Sequence, residues 1–100
     1  MKIIAITACP TGIAHTYMAA EQLERVGKQL GHEIKVETQG AMGIENRLTE
    51  QDIAAAEVLL LAADIAVEGR DRFARVPRVV EVPVQLAIRN PAEIFAKLGA

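Results

Sequence analysis

The chain has 100 residues, a formal net charge of −2 and 51% apolar residues, mostly Ala, Val, Ile and Leu, with one Tyr, two Phe and no Trp. That supplies one modest core, so residues 1–100 read as one domain, and the charge balance argues against an electrostatic grip on nucleic acid or anionic lipid. A single cysteine excludes an internal disulfide and suits a reducing, cytoplasmic setting, and no apolar run approaches the roughly 18 residues needed to span a bilayer.

Residues 2–7 are an isoleucine-rich apolar run, read as a buried strand. Lys2 and the run up to Cys9 imitate a lipoprotein signal, but the apolar stretch is shorter than the ~7–15 residues of a signal core. Pro10, Thr11 and Gly12 mark a turn. Over residues 13–30, Ile13, Tyr17, Ala20, Leu23, Val26 and Leu30 recur at helical spacing, opposite Glu21, Glu24, Arg25 and Lys28. Gly31 is placed to end this helix in a left-handed cap, with a solvated His32 beside it. Residues 33–38 alternate charged and apolar, which predicts a strand near a sheet edge with Ile34 and Val36 inward. Gln39-Gly40-Ala41-Met42-Gly43 reads as a flexible loop. Thr49 and Asp52, three apart, open a short helix that ends near Glu57. Residues 58–63 are wholly apolar, as a central parallel strand requires, and Asp64 follows directly. A short charged helix over 70–75, a fourth strand over 79–82, a helical turn over 84–89 and a last helix opened by Asn90-Pro91-Ala92-Glu93 complete the chain. Ile94, Phe95 and Leu98 pack that helix down.

This alternation predicts an α/β fold: a four-stranded parallel sheet of order 2-1-3-4 with helices on both faces, a Rossmann-like or flavodoxin-like three-layer sandwich. Ligands in such sheets bind beyond the carboxyl ends of the strands, where successive connections leave in opposite directions. That point lies between the first and third strands. Cys9 follows one of them and Asp64 the other, so Cys9-Pro10-Thr11-Gly12-Ile13-Ala14-His15-Thr16 occupies the crevice. A helix start offers unpartnered N–H groups and positive potential, which hold an anion without a side-chain charge. The same field favours the thiolate, the nucleophilic form of cysteine. Cys9 is therefore the candidate nucleophile and phosphate bearer, with Thr11 and Thr16 as hydroxyl donors and His15 as a cation near the phosphate. His15, Thr11 and Thr16 equally suit plain capping and packing roles, and Asp64 suits a turn cap as well as a site wall. No metal is expected, because Cys9, His15 and His32 lack a zinc spacing.

The residues Ala8-Cys9-Pro10-Thr11-Gly12-Ile13-Ala14-His15-Thr16 resemble the enzyme IIB component of the fructose-type sugar phosphotransferase system of bacteria. The likeness continues through Tyr17-Met18-Ala19-Ala20-Glu21, Glu37-Thr38-Gln39-Gly40, Gly43-Ile44-Glu45-Asn46, Ala62-Ala63-Asp64-Ile65, Arg72-Phe73 and the Val82-Pro83 turn. It implies a phosphoryl relay. A IIA partner carries phosphate on a histidine, the cysteine matching Cys9 takes it, and a fructose-like sugar bound by the membrane permease IIC receives it at the inner face of the membrane. The resemblance implies no cofactor besides the covalent phosphate. One departure stands at Arg75-Val76, where relatives often carry Gly-Lys.

Two other readings share parts of this pattern. Thiol phosphatases and arsenate reductases also place a cysteine on a phosphate loop after a first strand, but resemble one another in an arginine six residues later; that position here is His15. A non-catalytic anion-binding module would need only the loop. A dinucleotide site lacks its G-x-G-x-x-G. Gln39, Met42, Ile44 and Asp64 are candidates for lining the site or docking a partner, since apolar residues on an exposed loop suit transient contacts.

Overall fold

The computed structural model describes residues 1–9 and 13–99. Its sheet has five strands: β1 (Lys2–Ala8), β2 (Glu33–Gly40), β3 (Gly43–Glu45), β4 (Val58–Ala63) and β5 (Arg78–Val82). They lie in the order β3-β2-β1-β4-β5. The helices are α1 (Ile13–Gln29), α2 (Glu50–Ala55), α3 (Val84–Arg89) and α4 (Pro91–Lys97), with a 3-10 turn at Arg70–Phe73. The expected four-stranded, wholly parallel sheet is corrected here. Four strands are parallel, and β3 adds an antiparallel edge beside β2.

The physical reason lies in the segment read as a flexible loop. β2 runs two residues further than its alternation suggested, and Gly40 pairs with Gly43 across a tight turn at Ala41 and Met42. Gly43 takes φ +85°, a backbone state that a side chain disfavours, so the second glycine is a hairpin residue and not a mark of looseness.

Alternate residues of β1 feed two cores. Ile3, Ala5 and Cys9 face one formed with α1, α3 and α4, where Leu23, Leu60, Ile94 and Phe95 are fully or almost fully buried. Ile4 and Ile6 face the other, closed by Leu48, Ala56, Phe73 and Val76 around α2 and the 3-10 turn. The buried stripe of α1 runs through Thr16, Ala19, Ala20, Leu23 and Val26. Tyr17 and Leu30, expected on that stripe, are 39% and 50% exposed. α1 ends as expected at Gly31, with Gly31 N–H donating to Lys28 O at 3.0 Å and His32 N–H to Gly27 O at 2.9 Å. The expected solvated His32 is corrected too: its ring is half-buried and stacks on Phe95 at 5.8 Å, because α4 folds back across the start of β2.

Thr49 and Asp52 form a reciprocal capping box at the start of α2. Lys35 of β2 donates to Asp52 Oδ2 at 2.7 Å and ties that helix to the sheet. The hydrogen bonds from Lys35 and from Thr49 N–H hold the Asp52 carboxyl at about 2, below its ordinary 3.8. A carboxyl lowered by folding stabilises the fold above its unfolded value and loses that contribution as pH falls towards the folded one. The Asp52→Asn variant keeps the cap oxygen and loses the charge. It is expected to be less stable than the parent at pH 7 by up to about 1 kcal/mol, the size of a partly screened ion pair. Urea unfolding should show this gap closing between pH ~4 and ~2; a gap independent of pH would contradict the assignment.

Candidate active site

β1 delivers Cys9 at its carboxyl end, beside the end of β4, where Asp64 N–H donates to Ala8 O at 3.0 Å. α1 follows β1 on one face of the sheet and α2 precedes β4 on the other, so the crevice lies at the expected switch point. Cys9 is 6% exposed, at the base of a cleft of about 280 Å³ lined also by Gln39, Gly40, Ile44, Ile65, Ala66 and Glu68. One wall is the β2–β3 hairpin and the other is the segment after β4. Pro10, Thr11 and Gly12 of the predicted phosphate loop lie outside the described residues, and so does the Ile13 side chain.

The first turn of α1 is anchored on β1. Thr7 Oγ1 donates to Thr16 O at 3.0 Å in a fully buried bond. This presents Ala14 to solvent and brings His15 Nδ1 to 4.0 Å from Cys9 Sγ. Thr16 itself is buried at the base of that turn. Of the wall candidates, Gln39 and Ile44 line the Cys9 cleft. Met42, 68% exposed, stands at the hairpin tip beside Tyr17, whose hydroxyl donates to Glu45. Asp64 points elsewhere: its Oδ1 accepts from Val84 N–H at 3.2 Å, capping α3, and it lines a separate cavity of about 340 Å³ with Arg70 and Glu81.

The residues that sequence reasoning missed lie on the second face of β2. Alternation placed Lys35 and Glu37 towards solvent, yet Glu37 is fully buried, and the wall candidate Gln39 is nearly so. Arg72 of the 3-10 turn grips Glu37 with two parallel bonds, Nη1 to Oε1 and Nη2 to Oε2, both 3.0 Å. Leu48 N–H donates to Oε1 at 2.9 Å and Gln39 Nε2 to Oε2 at 2.8 Å. Burial pushes the Glu37 carboxyl up, but these hydrogen bonds and the guanidinium charge outweigh it and hold it below its ordinary value. Arg72 also donates to Gly69 O and Glu68 O and lies 4.7 Å from the Phe73 ring centre. Gly69 has φ +69°, and a Cβ there would fall 2.6 Å from Arg72 Nε, so only glycine fits under the guanidinium. A strand carrying Lys, Glu and Gln on one face gives no local sign that this face is covered; the distant Gly69 and Arg72 were the only trace.

The family model for the PTS system lactose/cellobiose-specific IIB subunit matches residues 4–97. The chain belongs to the IIB family of the sugar phosphotransferase system. This IIB chain is 48% identical over 99 residues to the PTS system fructose-like EIIB component 2 of Escherichia coli K12, covering 99% of this chain and 92% of that protein. It is 53% identical over 96 residues to part of the PTS system fructose-specific EIIABC component of Bacillus subtilis, covering 96% of this chain and 15% of that longer protein. The solution structure of an enzyme IIB subunit of the PTS system from Escherichia coli K12 superimposes with a TM-score of 0.89 at 46% identity, over 98% of this chain and 90% of that one. An arsenate reductase shares the fold alone, with a TM-score of 0.54 at 11% identity, over 97% of this chain and 98% of that one. Among the described residues, no helix of this IIB chain is long and apolar enough to cross a membrane.

The Glu37–Arg72 pair yields a stability test. Arg72→Leu alone leaves a buried carboxylate without its counter-charge and is expected to cost about 3–5 kcal/mol. Glu37→Leu combined with Arg72→Leu should recover part of that loss, because no charge is then stranded. Urea midpoints of parent, single and double variants measure this; a double variant no better than the single would show that the two side chains are not coupled.

Proposed function

We propose that this IIB chain, as one domain over residues 1–100, carries phosphate on Cys9 between a IIA phosphohistidine and a sugar held by the membrane permease IIC. The observation that carries the reading is the position of the thiol: at the carboxyl end of β1, at the base of an open cleft, with His15 Nδ1 4.0 Å from its sulfur. In the first transfer the Cys9 sulfur attacks phosphorus, the S–P bond forms and the N–P bond to the donor histidine breaks. The thiol proton ends on the departing imidazole. In the second, a sugar hydroxyl oxygen takes the phosphoryl group, and its proton returns to the sulfur. Transfer of this kind needs positioning and charge stabilisation more than covalent help from the protein. The loop Pro10, Thr11, Gly12, Ile13, Ala14, His15 and Thr16 supplies both, through helix-start N–H groups and flanking donors. No further cofactor takes part.

The names of the relatives favour fructose or a related sugar. The family description favours lactose or cellobiose, but relatives about half identical over nearly the whole chain carry fructose in their names. Some of those relatives join B with A and C components in one chain, which supports IIA and IIC as partners and a cytoplasmic site of action at the inner face of the membrane. His15 stands where a hydrolytic loop would carry a two-pronged arginine. Its presence suits a carrier, whose phosphate must outlast exposure to water.

Two experiments test this reading. Incubation of the protein with a phosphorylated IIA donor should add one phosphoryl group, mapped to Cys9 by mass spectrometry and absent in Cys9→Ser; no mass gain with a competent donor sinks the carrier reading, and loss of phosphate to water without sugar favours the phosphatase. Met42 at the hairpin tip and Ile65 on the cleft wall, 68% and 43% exposed, suit an apolar donor face. Met42→Asp should raise the KM for the donor roughly tenfold, the loss of about one buried side chain, with kcat retained; an unchanged KM removes the hairpin tip from the docking surface.

A further inference from the structure

Residues 64–69 form no helix or strand, only bends and turns. Yet Ile65, Ala66 and Glu68 make one wall of the Cys9 cleft. Two side chains hold that wall, Gln39 through two bonds and Arg72 through one. Gln39 Oε1 accepts from Glu68 N–H at 2.8 Å, and Gln39 Nε2 donates to Glu68 O at 3.1 Å. This is the exchange of bonds that a neighbouring strand would make. The orientation of the amide is dictated from below. Its other N–H donates to Glu37 Oε2 at 2.8 Å, and an ionised carboxylate only accepts. Arg72 Nη2 closes the ring by donating to both Glu37 Oε2 and Glu68 O, at 3.0 and 3.1 Å. Both amide hydrogens of Gln39 are thus engaged within the protein, so Gln39 borders the cleft without a donor to offer a ligand.

We infer that Gln39 is a positioning residue for phosphoryl transfer at Cys9: its amide sets the spacing between the thiol and the wall formed by residues 65–68, and with it the line of approach of the donor phosphohistidine. The inference rests on the carrier reading above. The thiol directly follows β1, and Gln39 lies directly opposite Ala8, the residue before it. The wall is therefore referenced to the strand that carries the nucleophile, one register position away. As the S–P bond forms and the N–P bond breaks, sulfur, phosphorus and nitrogen must line up, and in-line transfer is sensitive to errors of an ångström. The role is separable from stability. Without the Gln39 amide, the double grip of Arg72 on Glu37 and its bond to Glu68 O remain.

The test uses the full chain with a phosphohistidine-bearing IIA donor. Gln39→Met keeps the volume and removes the amide. Hydrogen exchange should speed up at the Glu68 amide while β1 and β4 stay protected, and melting should remain cooperative. The kcat for Cys9 phosphorylation should fall about tenfold to a hundredfold, with KM for the donor changed by less than about threefold. Gln39→Glu keeps the shape but cannot donate to Glu37 or to Glu68 O. It should lose more, and recover in part on acidification as its carboxyl takes up a proton and regains one donor, a pH profile that the parent lacks. An unchanged kcat in Gln39→Met with faster Glu68 exchange overturns the inference alone. So does a raised KM with kcat retained, which would make Gln39 a docking residue, and so does loss of protection throughout the sheet, which would make its role structural. A parent protein that takes no phosphate overturns the carrier reading, and the positioning role with it.

Discussion

The fully buried Glu37 carboxylate, gripped at both oxygens by Arg72, is the interaction on which the site end of the molecule depends. Burying a charge is unfavourable unless every lone pair finds a donor. Here the two Arg72 bonds, the Leu48 N–H and the Gln39 amide meet that need. The requirement runs in both directions. Because the carboxylate must be satisfied, the 3-10 turn, the chain before α2 and the segment after β4 are all drawn against one face of β2. These segments bring a smaller apolar core, with Leu48 and Phe73 as its largest buried side chains from them, and α2 has no buried residue. Polar bonds therefore supplement on this face a smaller apolar core than the one on the other.

That asymmetry suits a carrier. The face under α1 is a dense core in which Cys9 takes part, and the buried Thr7–Thr16 bond fixes the first turn of α1 against the strand that ends at the thiol. Cys9 is thus seated in packed surroundings. The opposite face is held by a chain of polar latches along β2: Lys35 to Asp52, Glu37 to Arg72, and Gln39 to Glu68. Directional bonds of this kind set distances more sharply than they contribute net stability.

Much of this was legible in the sequence, and the unread part has a common cause. The wholly apolar run of residues 58–63 identified the central strand, the Thr49/Asp52 spacing identified a real capping box, and Gly31 ended α1 as expected. Cys9 and His15 read as neighbours in one crevice and are neighbours in space. Each of these signals is local. The hairpin was missed because two glycines flanking Ala41 and Met42 look alike whether they loosen a loop or turn a strand. Alternation puts Glu37 towards solvent because it reports that two faces differ, not that the polar one is exposed, and the loop reading of Gln39 hides the strand that seats it beside Glu37. Their partners lie about thirty residues downstream, and no period or motif links them. Asp64 was placed correctly at the strand end, but its side chain turned to the N–H of Val84, a choice that depends on how β5 delivers α3.

Both walls of the Cys9 cleft are tied to β2, although the second also continues from β4. The hairpin wall is its covalent continuation through Gly40, and the wall at residues 65–68 is attached through the side chain of Gln39. β2 in turn is bonded to β1 in unbroken register from Lys2 to Ala8. β4, from which the second wall continues directly, is itself in unbroken register with β1 from Ile3 to Ala8, and Asp64 N–H donates to Ala8 O at the foot of that wall. The width of the cleft over the thiol is therefore set by three adjacent strands, with the Gln39 amide bridging the two outer ones. On the proposed carrier reading, a thiol that meets a phosphohistidine on one occasion and a sugar on the next gains from this arrangement. The aperture is held by strands in fixed register, so two different partners encounter the same geometry without either of them having to create it.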